Sequence, residues 1–393
     1  MRGYGIGRER NQYAILQKDE IMAGPKTILI AVVGVGGVGK AFLGQLHGLR
    51  SKQKTSVDLR LVLVRRSNKQ IISKDWQALD ETNILQSLDQ VNEPLQSLDD
   101  TVSHLSSAPH KVILVDNTSD QTIAAKYPNI LSKGISIATP NKKAFSSTYD
   151  LWSSIFASVA NGSGSPDKHG YVFHESSVGA GLPVISTLKE LVETGDEVMK
   201  IEGVFSGTMS FLFNAFMPVG GGGGRFSAEV AKAKELGYTE PDPRDDLNGL
   251  DVARKLTILA RLAGLGVESP TSFPVESLIP KELESCSSGD EFMSKLHEYD
   301  SRMDDLKASA AKEGKVVRFV GSIDVPSKAV KVGLETFDAS HPIAALKGSD
   351  NIINFYTKRY GSNPLIIQGA GAGGEVTAMG VTGDVLKIIR LLN

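Results

Sequence analysis

Thr27-Ile28-Leu29-Ile30-Ala31-Val32-Val33-Gly34-Val35-Gly36-Gly37-Val38-Gly39 is the stretch that decides the fold. Its first part is an unbroken apolar, largely β-branched run, the pattern of a strand buried on both faces of a parallel sheet. Glycines follow at once in G-x-G-x-x-G spacing, and a helical segment from Lys40 to Leu49 follows them. The spacing alone is weak; strand, glycines and helix in that order specify a dinucleotide-binding turn. Gly34 permits the tight turn, Gly36 lets the backbone approach a pyrophosphate, and Gly39 lets helix and strand pack closely. Gly37 and Val38 sit at the helix start, where free N–H groups favour an anion. A glycine-rich turn that binds nothing is the plainer alternative.

Working outward, Asp58 to Val64 reads as the second strand. An NAD-specific site would place a carboxylate just past its end, on the ribose diol. This chain has Arg65 and Arg66 there and no acid, which favours the 2′-phosphate of NADP(H) over NAD(H). Two solvated surface arginines are the alternative. Val112 to Val115 is a further buried strand ending in Asp116-Asn117-Thr118-Ser119, and Gly134 to Ala138 another ending in Thr139-Pro140-Asn141-Lys142-Lys143. Doubly wound folds bind ligands at such carboxyl ends. A lysine pair after a strand is often only a solvated turn; on a cofactor edge one of them is a candidate site residue.

The fold class is therefore α/β, with a Rossmann-like dinucleotide-binding domain over residues 27–174 and an α+β substrate domain over 175–342, to which the resemblance described below adds dimerisation. Lys315 to Val320 and Ala329 to Glu335 read as antiparallel strands of a second sheet. A second glycine-rich strand–helix junction, Gly369 to Gly374, has no following strand, so residues 343–393 read as a return segment completing the first domain. Residues 1–26 are a polar leader with no expected structural role, and Gly162 to Gly170 is a surface loop.

Composition narrows the function. The chain has 393 residues, 41% hydrophobic and 22% charged, enough for two domains with cores. A net charge of −2 provides no field for nucleic acid or anionic membranes. No apolar run approaches the roughly 20 residues of a membrane helix. The single cysteine, Cys286, excludes a disulfide framework and points to a reducing, cytoplasmic setting.

Candidate chemistry lies in the run from Gly237 to Lys255. Two prolines and a glycine set Glu240, Asp242, Asp245 and Asp246 on a fixed loop. A helix begins near Leu247 and places Asp251 and Lys255 four apart on one face. Such a cluster is either an ion-pair network or a site that binds an amino group and moves protons. The turn Glu175 to Pro183 combines a carboxylate with uncrowded carbonyls, suited to a hard cation or to capping a helix.

On these residues the chain closely resembles homoserine dehydrogenase, particularly the short fungal form without a regulatory tail. The likeness runs from about Thr27 to the C-terminus and is carried by Gly34–Gly39, Asp116–Ser119, Thr139–Lys143, Glu175–Pro183, Glu202–Thr208 and the specific Gly237–Lys255 run, with His341-Pro342 and Gly369–Gly374 in support. It implies NAD(P)-linked interconversion of L-aspartate 4-semialdehyde and L-homoserine in threonine, methionine and isoleucine biosynthesis. By matching position it implies Lys255 as proton donor, Asp251 as its orienting partner and a substrate contact, and Lys143 between nicotinamide and substrate. Glu240 would bind the substrate ammonium, with Asp246 nearby and Thr208, Gly207 and Tyr238 lining the pocket. Asn117, Thr118, Ser119, Gly237, Gly373 and Thr377 would meet the cofactor. Glu175 and the carbonyls of Val178, Ala180 and Leu182 would bind a structural sodium ion, and two chains would pair through their second-domain sheets as a homodimer. The Arg65-Arg66 pair is not universal in that family, and Gly220–Gly224 looks like an insertion away from the site. A different NAD(P) oxidoreductase of similar layout is the nearest rival; aspartate-semialdehyde dehydrogenase would need an acylating cysteine, in a context that Cys286 lacks. A non-enzymatic NADP-binding regulator would have no use for Glu240, Asp251 and Lys255 together.

Overall fold

The computed structural model describes residues 26–52, 57–159 and 168–393. The expected leader, apart from Lys26, and most of the Gly162–Gly170 loop lie outside the described residues. The opening stretch forms β1 (Thr27–Val33), whose residues are buried after the first. The glycines lead directly into α1 (Gly37–Ser51). β1 lies between β2 (Asp58–Arg65) and β4 (Lys111–Asp116), parallel to both. With β3 (Gln70–Ile72), β5 (Ser136–Ala138) and β6 (Val172–Phe173) they form a six-stranded sheet of order β3-β2-β1-β4-β5-β6. The reversal of strand order beside β1 is the crevice where such folds take their ligand.

One strand start and one extra strand in this sheet differ notably from the sequence reading. β5 starts at Ser136, because Gly134 adopts φ +78 and its N–H closes the preceding helix onto Leu131 O at 3.0 Å. That left-handed stop is the usual way a glycine ends a helix. β3 pairs antiparallel with β2, a short hairpin that its three residues did not announce.

A helix at the carboxyl end of β5, α2 (Lys142–Ser146), leads toward α3 (Val184–Glu193) and the second domain. That domain is a five-stranded sheet of order β11-β10-β7-β8-β9. Its strands are β7 (Val198–Val204), β8 (Lys315–Asp324), β9 (Ala329–Asp338), β10 (Asn351–Thr357) and β11 (Leu365–Gly369), all paired antiparallel. Between β7 and β8 run α4 (Gly207–Phe216), α5 (Arg244–Leu247) and α6 (Leu250–Leu262). The buried face of α6 lies on β8 so closely that a Cβ on Gly321 would come within 2.8 Å of Leu256.

The Gly237–Lys255 run is not a loop throughout its first half. Pro243 starts the single turn α5, which carries Asp245 and Asp246; proline is tolerated at a helix start because its missing N–H is not needed there. The return segment also divides differently. β10 and β11 belong to the second sheet, and only the last helix, α7 (Gly374–Leu392), crosses back. Its Ala378, Val381, Val385 and Ile388 join Phe42 and Leu46 of α1 in the core beneath β1 and β2.

Candidate active site

The glycine turn is built as a cradle. Gly34 takes φ +85 and donates its N–H to Arg65 O at 2.8 Å. A Cβ there would lie 2.7 Å from Thr118 Cγ2, and one on Gly39 only 2.0 Å from Gly34 O. Gly36 and Gly37, by contrast, face open space with nothing within 4 Å, and no side chain caps the first amides of α1. Those free N–H groups suit a pyrophosphate. Asn117, just past β4, is half-buried, and its buried Nδ2 and Oδ1 have no partner among the described residues. Such an orphaned amide costs free energy unless a ligand satisfies it. The turn therefore fits a dinucleotide.

A cleft of about 680 Å³ beyond Gly34 is lined by Arg65, Arg66, Ser67, Thr118, Ser119 and Lys143. Arg65 is already engaged: Nη1 lies 2.7 Å from Gln70 Oε1, 2.9 Å from Gln96 O and 3.1 Å from Thr101 Oγ1. Arg66 pairs with Asp89, but its buried Nε has no partner among the described residues.

A second cleft, about 780 Å³, runs between the domains. Thr118, Ser119, Val38, Gly373 and Thr377 stand on its cofactor side; Glu240, Asp246, Asp251 and Lys255 stand on the other. Lys255 projects from α6, is 7% exposed, and uses two of its three N–H groups on protein acceptors. One goes to Phe205 O at 2.6 Å and one to Asp251 Oδ2 at 2.7 Å. The third is left for the cleft.

Across the domain boundary it is Lys142, not Lys143, that reaches this pair: Lys142 Nζ is 3.5 Å from Asp251 Oδ1. Asn141 fixes the choice. Its side chain accepts the Lys143 N–H at 3.1 Å and caps α2. Consecutive side chains then diverge by about 100° around the helix. Lys143 lines both clefts, at their junction.

Electrostatics follow from this layout. Burial lowers the Lys255 ammonium below its usual 10.5, and Lys142 lowers it further, against the pull of Asp251 and Asp246. Lost hydration opposes ionisation of Asp251, but Lys255 and then Lys142 outweigh it and hold that carboxyl well below the usual carboxylate range. Burial raises Asp246, and neighbouring Glu240 and Asp251 add to the rise, while hydrogen bonds from the Glu240 N–H and from Thr208 resist it.

Not every expected residue lines the cleft. Thr208 stands one layer behind, its Oγ1 2.6 Å from Tyr238 O and 2.9 Å from Asp246 Oδ1. Gly207 begins α4 beside it, and Tyr238 stacks on Phe211 with ring centroids 4.4 Å apart. Gly237, at φ +74, turns the chain here without lining either large cleft. Sequence reasoning did not single out Ser206 or Arg254, held Asp245 only as one of the acidic cluster, and of the lysine pair favoured Lys143 over Lys142; all four line the cleft. Only a prediction of where α2 starts could have singled out Lys142.

The Glu175 turn gives a mixed fit to a cation. The Glu175 carboxylate is occupied: Oε1 accepts the Ile185 N–H at 2.7 Å, and Oε2 lies 3.3 Å from Lys387 Nζ. Leu182 O accepts from Val184 N at 2.8 Å. The carbonyls of Val178 and Ala180 accept no hydrogen bond among the described residues, and Ala180 holds the unusual φ of +54. Two open carbonyls fit a weakly held monovalent ion; the carboxylate acts as a cap for α3.

Comparison with known proteins bears on both clefts. A family model described as homoserine dehydrogenase matches residues 183–386, and one described as homoserine dehydrogenase, NAD binding domain, matches 34–164. The homoserine dehydrogenase of Emericella nidulans is 57% identical over 381 residues, covering 93% of this chain and 99% of that one. That of Saccharomyces cerevisiae is 53% identical over 368 residues, with 93% and 99% covered. A Candida auris crystal structure described as a protein of unknown function superposes with a TM-score of 0.87 at 48% identity, covering 93% of this chain and 99% of that one. A hyperthermophilic archaeal homoserine dehydrogenase in complex with NADPH shares the fold, with a TM-score of 0.67 at 20% identity, covering 93% and 98%.

Proposed function

The chain belongs to the homoserine dehydrogenase family, an oxidoreductase that interconverts L-homoserine and L-aspartate 4-semialdehyde with a nicotinamide dinucleotide in amino-acid biosynthesis, and from that premise we propose the division of labour in its site. Bound nicotinamide supplies or accepts the hydride. In reduction, as hydride reaches the aldehyde carbon, the third N–H of Lys255 delivers its proton to the oxygen. In oxidation, neutral Lys255 takes the hydroxyl proton as the carbon gives up hydride. Asp251 orients Lys255, and Lys142 places a second positive charge beside the reacting oxygen, where negative charge develops. Glu240 and Asp246 receive the substrate ammonium. Ser206, which lines the cleft at the start of α4, receives its carboxylate, with Gly207 and Thr208 behind it. Lys143, at the junction of the clefts, contacts the cofactor, as do Asn117, Thr118, Ser119, Gly373 and Thr377.

One observation carries this reading: a buried lysine, with two N–H groups fixed on Phe205 and Asp251, opens into a cleft whose far wall is the cofactor turn. Lys255→Ala is expected to lower homoserine-dependent NADP⁺ reduction by about 100- to 10,000-fold, with NADPH binding retained. Turnover at the parent rate would overturn the assignment.

Finer features are proposed on the same basis. NADP(H) is preferred over NAD(H), because two guanidinium groups and no carboxylate close the end of β2, and Arg66 Nε is free to donate. A higher kcat/KM with NADH in the same assay would sink that preference. A sodium ion at the carbonyls of Val178 and Ala180 would tie the hinge, detectable as a higher Tm in sodium than in a bulky organic cation. The enzyme acts as a homodimer, supported by the uncharged edge strand β11, and works in the cytoplasm, in keeping with its one unpaired cysteine.

A further inference from the structure

Arg261, near the end of α6, is 5% exposed and meets no carboxylate at hydrogen-bond distance among the described residues. Its four hydrogen bonds all go to backbone carbonyls. Nε donates to Val267 O at 2.9 Å and Nη2 to Glu268 O at 2.9 Å, both in the turn that follows α6. The other bonds cross the domain boundary: Nη1 to Phe145 O at 2.7 Å and Nη2 to Ser147 O at 2.6 Å, at the end of α2. The rings of Tyr149 and Trp152 lie 5.6 and 5.7 Å from the guanidinium carbon. A buried cation is costly unless its donors are satisfied, and here satisfaction requires α2 to stay docked on α6.

The consequence concerns the site. α2 begins with Lys142 and is pinned at its start to the first domain, where Asn141 Nδ2 donates to Asp116 Oδ2 at 3.1 Å and Asp120 O at 3.0 Å. Arg261 pins its end to the helix that carries Asp251 and Lys255. We propose that Arg261 is a positioning residue for the reaction: by holding the carbonyls of Phe145 and Ser147 it sets Lys142 at its working distance from Asp251 and Lys255 across the two domains. The proposal rests on the reading of Lys255 and Lys142 given above. Arginine suits the task because its planar fork reaches several carbonyls at once, which a lysine cannot.

The test uses the full-length enzyme. Arg261→Gln is expected to lower kcat about 10- to 100-fold, the scale of an ångström-level misplacement, while KM for homoserine and the NADPH Kd change little. Arg261→Lys, which keeps the charge and part of the carbonyl contacts, is expected to fall between Gln and the parent and serves if the glutamine variant does not fold. The discriminating readout is a double-mutant cycle with Lys142→Met. If Arg261 acts through Lys142, its substitution costs little more once Lys142 is gone. Equal losses in both backgrounds would show a general packing role and overturn the proposal. Folded, cofactor-binding variants with the parent kcat would do the same. Turnover surviving Lys255→Ala would instead refute the underlying assignment of the proton donor, so the two failures are separable.

Discussion

Lys255 is a charge in a place that disfavours it, and that tension predicts its pH behaviour. Its titration is shifted down, by burial first and by Lys142 second, while Asp251 on its own helix and Asp246 on the preceding turn oppose the shift. The ammonium is the acid for reduction, so reductive kcat should hold on the acid side and fall as pH rises through a value below 10.5. Oxidative kcat should climb through the same value, since the neutral amine is then the base. Lys142→Met removes a like charge and frees Asp251 to pair with Lys255 alone, and the midpoint should move to higher pH. A midpoint that stays put or moves down, read from kcat–pH profiles in both directions, would refute the coupling. At this scale the sequence was informative where partners are local. Asp251 and Lys255 four apart on a helix needed only its period. Lys142 was hidden because its partner is more than a hundred positions away and its neighbour Lys143 has the same chemistry. Arg65 illustrates the opposite case, a residue that lines the cleft as expected but whose Nη1 is taken by Gln70, Gln96 and Thr101.

Among the elements, β1, its glycine turn and α1 were legible because each signal is local and the three agree. The turn also makes the sharpest stability prediction. Gly39→Ala would press a methyl to 2.0 Å from Gly34 O, a backbone atom that cannot swing aside. Overpacking of this kind costs about 1–3 kcal/mol, and the helix can relieve it only by leaving the cofactor turn. A lower Tm and an NADPH affinity reduced by about tenfold or more are expected. Gly37→Ala, with nothing within 4 Å, is the matched control and should keep the parent Tm; equal losses in both would show that the packing argument is wrong. Elements defined by long-range pairing were less legible. The Leu365–Gly369 run reads as a strand, but which sheet it joins depends on β10, and a glycine-rich sequel suggested the wrong one. α5 was missed because Pro243, taken as a breaker, is also a good first residue.

At the level of the whole molecule, the second sheet ends in β11, where Leu365, Ile366 and Ile367 stand in a row without a charge and Ile366 is 39% exposed. Edge strands are usually blunted by lysine, proline or a covering element. This one lacks a charge of its own, consistent with a partner chain. Light scattering should report a mass of two chains, and Ile366→Lys should shift it toward one; a parent enzyme that runs as a single chain at micromolar concentration would exclude the dimer. A different consequence follows from the path of α7. The core beneath β1 and β2 includes Val381, Val385 and Ile388, so the first sheet is finished by a helix that follows the whole second domain in the chain. Domains ordinarily fold from the N-terminus as they leave the ribosome; here the dinucleotide domain must wait, its α1 face bare, until the second domain has been translated. A chain cut short before α7 would therefore carry the complete glycine signature and still fail to hold its coenzyme, so that binding NADPH reports that α7 has docked.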